Sequence, residues 1–398
     1  MRYFIPEWDD RVDPDYDFVN DIVTEGRDPY SHDVYAHEIY PTPNYDGVLI
    51  SKIIVEMNKT KKARIEEMGV HKFIRFDDKR PIMGDCGAFG YVDEQDPPFN
   101  TTEILDYYQR LGFNIGVSID HLIVGKYATD IDERNRRYKL TRRNASDFIS
   151  QYQKGKYSFL PSGVAQGWDP QSYRDSVGAL LEMGYKHICL GGLVRTNTKD
   201  IVEILQKIKP LIPEYLQLHL FGIARTDALQ IFRQLGVSSM DSASHLRRAW
   251  LGSNSNYFTL SGKNYAAIRV PPVNEHGKRV KQMIADGKGT IDDFLKMEKA
   301  SLNALRKFDA GLIDVDETLK PVLEYDALVG EDREKHAGLY REVLEDKPWK
   351  HCNCEICRSI GIDVIIFRGN NRNRRRGFHN TYVFYNQLKK LYPDTAED

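Results

Sequence analysis

Residues able to do chemistry concentrate in two sets. The first is Cys352-x-Cys354-x2-Cys357, three thiols within six residues, followed by His379. Three thiolates and one imidazole form the closed tetrahedral donor set of a structural zinc, Zn(2+), one per chain. Four protein ligands leave no position for a water, so the ion is expected to hold structure and not to catalyse. His351 abuts Cys352 and is the other candidate for the fourth ligand. The remaining cysteines, Cys86 and Cys189, lie far away in the chain, and such clustering speaks for metal over a disulfide framework.

The second set is dispersed but regular. Asp85, Asp120 with His121, Gln166, Gly191 with Gly192, Gly222 and Asp241 each sit at or near the C-terminal end of an apolar run. A lone Asp in such a place commonly caps the next helix. Three acids and an amide aimed at one mouth point instead to acid–base or nucleophilic chemistry.

The runs that position them are PIMGDC (81–86), IGVSIDHLIV (115–124), YSFLPSGVAQ (157–166), HICLGGLV (187–194), LQLHLFGIA (216–224) and VSSMDSA (237–243). Between them lie helices with a single apolar face: Ile104, Tyr107, Tyr108 and Leu111, then Ile201, Ile204, Leu205 and Ile208, then Ala228, Ile231, Phe232 and Leu235. Apolar strands alternating with such helices predict a parallel sheet. With AAIRV (266–270) and DVIIF (363–367) as the seventh and eighth strands, the expectation is a closed (β/α)8 TIM barrel. No GxGxxG turn follows the first strand to favour an open doubly wound sheet. The expected organisation is an N-terminal β-rich cap at 1–78, barrel at 79–272 and 360–398, a helical insertion at 273–350 and a zinc-binding subdomain at 351–380.

A length of 398 residues suits one elaborated barrel, and no apolar run approaches a membrane span. The acidic N-terminus has no apolar signal region, which predicts a cytoplasmic protein. Net charge is only -2, so any nucleic-acid contact must come from local basic patches. Two exist, Arg134–Arg143 (RNRRYKLTRR) and Arg368–Arg376 (RGNNRNRRR). The first reads as readily as a solvated helix face. The second lies inside the zinc loop, where a metal would hold Arg372, Arg374, Arg375 and Arg376 against a phosphate backbone.

These residues together resemble the tRNA-guanine transglycosylases. The resemblance covers about 81–272 and 350–390. Gly84-Asp85-Cys86-Gly87-Ala88-Phe89 is similar to the family's Asp-Ser-Gly-Gly-Phe segment, Val164-Ala165-Gln166-Gly167 to its Val-Gln-Gly and Leu190-Gly191-Gly192-Leu193 to its Gly-Gly-Leu loop. Leu220-Phe221-Gly222 resembles Leu-Met-Gly, Met240-Asp241 the nucleophile segment, and YFTLSGKNYAA (257–267) the strand that follows. The resemblance implies that Asp241 attacks C1′ of the target nucleoside. Asp85 would protonate the leaving guanine and then deprotonate the incoming base, which calls for a pKa raised toward neutrality. Asp120 would accept from the base's N1 and 2-amino edge, Gln166 and the Gly192 N–H would donate to the 6-oxo group, and Phe89 and Phe221 would sandwich the ring. A base held this way must first leave its stack.

Departures from the family pattern bear on the substrate. The tRNA enzymes carry Leu-Pro-Thr-Arg after the nucleophile. Here the stretch is Ser244-His245-Leu246-Arg247-Arg248-Ala249-Trp250, with Arg247 and Arg248 as the expected nucleic-acid contacts. After Gly-Gly-Leu the bacterial tRNA enzymes have Gly-Glu; here Val194-Arg195 follows, with no carboxylate for a cationic aminomethyl group. That favours a neutral base, 7-cyano-7-deazaguanine. The insertion is long for the tRNA family, and the extra RNA-binding domains of the archaeal enzymes are not expected in the 19 residues after His379. The DCGAF, SIDH and MDSASHLRRAW segments resemble the DpdA-type branch, which inserts 7-deazaguanine derivatives into DNA. The expected reaction is exchange of guanine in DNA for such a base. The resemblance brings in an accessory ATPase as a further partner, separate from this chain because no Walker A stretch occurs in it. Two other readings stand beside this one: a tRNA-guanine transglycosylase acting on tRNA, and a non-catalytic zinc-containing nucleic-acid-binding protein.

Overall fold

The computed structural model describes residues 1–252, 254–273, 277–329 and 333–392. Parts of the expected insertion (274–276 and 330–332), and residues 393–398, lie outside the described residues.

Eight parallel strands close a barrel in sequence order: β1 Arg2–Pro6, β2 Gly47–Ser51, β3 Ile82–Asp85, β4 Ile115–Val117, β5 Leu160–Ala165, β6 His187–Leu190, β7 Gln217–Leu220 and β8 Val237–Asp241. Closure comes from β1 pairing with β8, with Arg2 opposite Ser239 and Phe4 opposite Asp241. Side chains alternate along each strand, so one set fills the interior. Phe4, Leu49, Met83, Ile115, Val117, Val164 and Cys189 form that buried cluster. The single-faced helices fall where periodicity places them, at Thr101–Leu111, Thr198–Ile208 and Leu229–Gln234.

The barrel differs from the expectation in its first two and last two strands. RYFIP (2–6) and GVLIS (47–51), expected in the cap, are its first two strands. The segments 266–270 and 363–367, expected as the last two, lie outside it. Ile268–Arg269 (β9) and Ile366–Phe367 (β10) pair in parallel with each other. An apolar pentapeptide reports burial and not its partner, and the long excursion between β1 and β2 hides their kinship with the rest.

The chain forms two compact units. One comprises Met1–Trp8, Tyr45–Ala243 and Leu388–Asp398 and contains the barrel. The other comprises Asp9–Asn44 and Ser244–Gln387. It holds the β9–β10 pair and the helices Ile291–Asp309, Val315–Val329 and Arg333–Asp346, within the stretch read as a helical insertion.

In that second unit the basic run turns inward. Arg372 is fully buried, donating from Nε to Asp363 at 2.7 Å and pairing with Asp21. Arg376 is equally buried and donates to the carbonyls of Ala249, Val364 and Ile366 at 2.7, 3.0 and 3.1 Å. Arg375 reaches the Asp13 carbonyl at 2.7 Å, and Arg374, partly exposed, that of Arg11 at 2.7 Å. These guanidiniums supply donors to backbone carbonyls that would otherwise be buried unpaired. Arg372, Arg375 and Arg376 therefore stitch the fold, and the expectation that they face a phosphate backbone is corrected. Arginine density in a sequence does not distinguish a cationic surface from a set of internal clamps.

Candidate active site and metal centre

The predicted site residues of the barrel unit converge at the C-terminal mouth. Asp85 ends β3, paired in register with Ser51 at the end of β2. Asp120 follows β4, Gln166 follows β5, Gly191 and Gly192 follow β6, Phe221 and Gly222 follow β7, and Asp241 ends β8.

Two of these are tied directly. The Gln166 amide donates from Nε2 to Asp120 Oδ2 at 2.7 Å, with both side chains buried. An amide nitrogen carries two protons, so one remains for a ligand. The paired glycines are explained by the same side chain. A Cβ on Gly191 would collide with Gln166 Nε2, and one on Gly192, whose φ is +80°, would lie 2.8 Å from Gln166 Oε1. The loop passes so close to the amide that only glycine fits. Leu193 beyond it is buried. The Tyr91 hydroxyl fixes the loop after β4 by donating to the Asp120 carbonyl at 3.0 Å.

Asp241 is buried, and its Oδ1 is occupied. It accepts from the Gly222 N–H at 3.0 Å and lies 3.1 Å from His219 Nε2. The other ring nitrogen, His219 Nδ1, lies 2.8 Å from the Ser239 hydroxyl. With a carboxylate on Nε2, the imidazole is set as a donor there and an acceptor from Ser239. This arrangement leaves Oδ2 of Asp241 for a reacting atom.

Burial pushes the Asp85 carboxyl up to about 7. The charges of Asp120 and Asp241 add to this, while hydrogen bonds from Ser51 and the Gly87 backbone oppose it. Asp120 is pushed up to about 6, again by burial, against the Gln166 hydrogen bond. Two buried polar atoms of this set, Asp85 Oδ1 and Gln166 Oε1, have no hydrogen-bond partner among the described residues. Unpaired buried oxygens at a barrel mouth mark where a ligand completes the network. Phe89 stands exposed on the turn Ala88–Tyr91 after β3, and Phe221 packs partly buried against the interior cluster. His121 is a fastening residue, its backbone N–H donating to the Thr141 hydroxyl at 3.0 Å and its ring Nε2 to the Glu94 carbonyl at 3.0 Å.

Sequence reading missed His219, Ser239, Ser51 and Tyr91. Period-two counting back from known positions finds two of them. His219 lies two residues before Phe221 on β7, and Ser239 two before Asp241 on β8, so each shares the inward face. Ser51 lay on a strand assigned to the cap.

In the second unit, Cys352, Cys354, Cys357 and His379 bring their ligand atoms within 4.8 Å of one another, a group that could hold a metal ion. His379 Nδ1 lies 3.4 Å from the sulfurs of Cys354 and Cys357 and 3.6 Å from that of Cys352. His351 is exposed, and it is His379 that groups with the three thiols. The far nitrogen, His379 Nε2, donates to the Phe258 carbonyl at 2.8 Å, leaving Nδ1 bare toward the sulfurs. Tyr257 stacks on the imidazole at 4.0 Å between ring centroids and places its hydroxyl 3.2 Å from Cys357 Sγ. Arg248 is exposed and Arg247 half-buried on the helix Ser244–Leu251.

A closed parallel eightfold barrel that gathers Asp85, Asp120, Gln166 and Asp241 at its C-terminal mouth is the architecture of a (β/α)8 enzyme. The family model described as Queuine tRNA-ribosyltransferase matches residues 34–389, and the chain belongs to that family of transglycosylase enzymes. A DNA-guanine transglycosylase of Salmonella montevideo is 40% identical over 418 aligned positions, covering 100% of this chain and 99% of that one. Two archaeal relatives match over part of their length. The tRNA-guanine(15) transglycosylase of Methanocaldococcus jannaschii is 24% identical over 222 residues, 54% of this chain and 33% of that protein. The enzyme of the same description from Methanococcus aeolicus is 24% identical over 241 residues, 56% of this chain and 36% of that protein. Among the described residues, no helix is long and apolar enough to cross a membrane.

Proposed function

We propose that this protein exchanges guanine in DNA for a 7-deazaguanine base, 7-cyano-7-deazaguanine, through a covalent bond to Asp241. The observation that carries the DNA assignment is the end-to-end similarity to a DNA-guanine transglycosylase, set against partial, weaker similarity to enzymes that act on tRNA. The neutral incoming base is supported by Val194 and Arg195 after the Gly-Gly-Leu loop, where no carboxylate would meet a cationic substituent.

The chemistry follows from the positions of the carboxyl groups. The base enters with its N1 and 2-amino protons on Asp120 and its 6-oxo group accepting from Gln166 Nε2 and the Gly192 N–H. Phe89 and Phe221 bound its faces, with stacking worth about 1–3 kcal/mol per base. Asp241 Oδ2 forms a bond to C1′ while the bond from C1′ to N9 breaks, and the electron pair stays on the leaving guanine. Asp85, protonated near neutral pH, supplies the proton that guanine takes up. In the return half, Asp85 as carboxylate takes a proton from the incoming base, whose N9 displaces Asp241 from C1′. His219 and Gly222 hold Oδ1 throughout and so orient the leaving carboxylate of the second step.

The Cys3His group fits zinc, one ion per chain: soft thiolates, a single bare imidazole nitrogen and no open position for water. Its role is structural. Binding energy of such an ion is folding energy. Cys357→Ser is therefore expected to lose one equivalent of zinc by atomic emission and to lower the melting temperature by several degrees. A protein that keeps full metal content with Ser at this position would have another ligand set. Five cysteines with no disulfide among them, three of them in the thiolate metal site, fit work in a reducing cytoplasm.

The reading is tested by incubating the full chain with isotope-labelled 7-cyano-7-deazaguanine and either plasmid DNA or bulk tRNA, followed by nucleoside mass spectrometry. Labelled nucleoside in DNA is the expected result. Label confined to tRNA would overturn the choice of polymer. Label in neither, even after addition of a cell extract to supply an accessory ATPase, would overturn the exchange reaction.

A further inference from the structure

The helix Ile131–Lys154 starts at the mouth of the barrel, because it leads down to the beginning of β5 and so runs antiparallel to the strands. Part of its basic run is committed to the fold. Arg137 is buried, pairs with Glu133 at 2.6 Å and donates to the Leu122 carbonyl at 2.9 Å, fastening the loop that carries Asp120. Arg136 is held by Glu133 at 2.9 Å and Asp96 at 3.1 Å.

Arg134, Lys139, Arg142 and Arg143 are different, since none of them forms an ion pair among the described residues. Spacing of four residues sets Arg134, Tyr138 and Arg142 in one row. The Arg134 guanidinium lies 4.6 Å from the Trp168 ring, Trp168 meets Tyr138 edge-on at 5.4 Å, and the Arg142 guanidinium lies 5.5 Å from the Tyr138 ring. Cation and aromatic alternate along the row. Trp168 is half-buried and stands two residues after Gln166, so the row begins at the rim of the base pocket. Arg134 Nε is buried with no hydrogen-bond partner. Nearby acids are largely engaged elsewhere. Asp130 caps the helix at the Glu133 N–H (3.0 Å), Asp169 caps the next at Ser172 (2.7 Å), and Asp175 accepts from Gln171 (2.7 Å). Asp132 is exposed.

We propose that this row, with Lys139 and Arg143 on its solvent side, binds the phosphates of the DNA strand flanking the extruded guanine. The aromatic rings hold the two guanidiniums extended over their faces. Their donors are thus presented before DNA arrives, and less side-chain freedom is lost on binding. Arg134 and Arg142 are eight residues, about 12 Å, apart along the helix, so they reach separate phosphates and not one. The buried Arg372, Arg375 and Arg376 offer no such donors. The proposal rests on DNA being the substrate.

The test measures binding of a fluorescein-labelled guanine-containing DNA by anisotropy across a KCl series, together with base exchange. The proteins are wild type, Arg134→Gln/Arg142→Gln, Arg134→Lys/Arg142→Lys and Lys139→Gln/Arg143→Gln. Neutralising one cation that meets a phosphate should flatten the log–log salt slope by roughly 0.7–0.9. Both Gln pairs are expected to bind DNA roughly tenfold more weakly with a slope lower by about 1.5, while free-guanine binding stays unchanged. The Lys pair should keep the slope, and the exposed Lys139/Arg143 pair keeps the readout valid if the Arg134 variants fold poorly. Gln variants with wild-type slope and affinity, in a protein that binds and modifies DNA, would overturn the surface while leaving the function intact. Weakened binding of tRNA but not DNA would assign the surface to RNA and overturn it for DNA. A wild-type protein that exchanges base only in tRNA would bring down the DNA reading and this surface with it.

Discussion

Asp241→Asn is expected to reduce base exchange by about 10³-fold or more and to eliminate any covalent protein–DNA adduct on denaturing gels. The substitution keeps the side chain's size and leaves Asp120 and Gln166 in place, so affinity for free guanine should be unchanged. The loss therefore falls on turnover and not on binding. The physical reason lies in how the carboxylate is held. Oδ1 takes the Gly222 N–H at 3.0 Å and faces His219 Nε2 at 3.1 Å, which leaves an Oδ2 lone pair for the proposed attack. An amide offers a far weaker nucleophile in the same place. His219→Phe should fall between wild type and Asp241→Asn, because it removes the orienting donor but keeps the attacking oxygen. An Asp241→Asn protein that still forms adduct at a tenth of the wild-type rate would place the nucleophile on another residue.

Asp85→Asn is expected to lower exchange about 10²–10⁴-fold and to change its pH profile. In the proposed reaction Asp85, pushed up to about 7, carries the proton that assists guanine's departure, so wild-type activity should fall as pH rises through about 7. In the same proposal Asp120, pushed up to about 6, accepts the base edge as a carboxylate, so activity should fall as pH drops through about 6. The result is a narrow bell between these values, whose limbs belong to a coupled set of carboxyl groups. Asp85→Asn should lose the alkaline limb and keep the acid one. Stability should move the other way. A carboxyl with a raised pKa binds its proton more tightly in the folded chain than in the unfolded one. Its destabilising effect is absent below the ordinary value of 3.8, grows as pH rises, and is complete above about 7. Asp85→Asn should therefore melt higher than wild type at pH 8 and alike at pH 3.5. An alkaline limb that survives the substitution would assign the proton to another group.

Much of the site was legible because its signals are local. The acids at strand ends, the glycine pair and the Cys-x-Cys-x2-Cys spacing each depend on residue type at short range. A side chain lying against a loop demands glycine wherever the loop occurs, as Gln166 does of Gly191 and Gly192. Three thiols within six residues lie close enough in the chain to converge on one ion.

What the sequence determined by itself was the alternation of strand and helix, the acids at the mouth and the thiolate cluster, since periodicity and spacing encode them directly. Tertiary structure decided which strands close the barrel, because β1 and β2 look no more like barrel strands than 266–270 and 363–367 do until the β1–β8 ladder is formed. It decided that His379 and not His351 joins the thiols, through a ring stack and a carbonyl more than a hundred residues away in the chain. It also decided the fate of the two basic runs. One is drawn inside by backbone carbonyls and by Asp21 and Asp363, and the other keeps Arg134, Lys139, Arg142 and Arg143 outside any ion pair among the described residues. Charge is written in the sequence, but whether it is neutralised depends on which groups folding brings within hydrogen-bond reach.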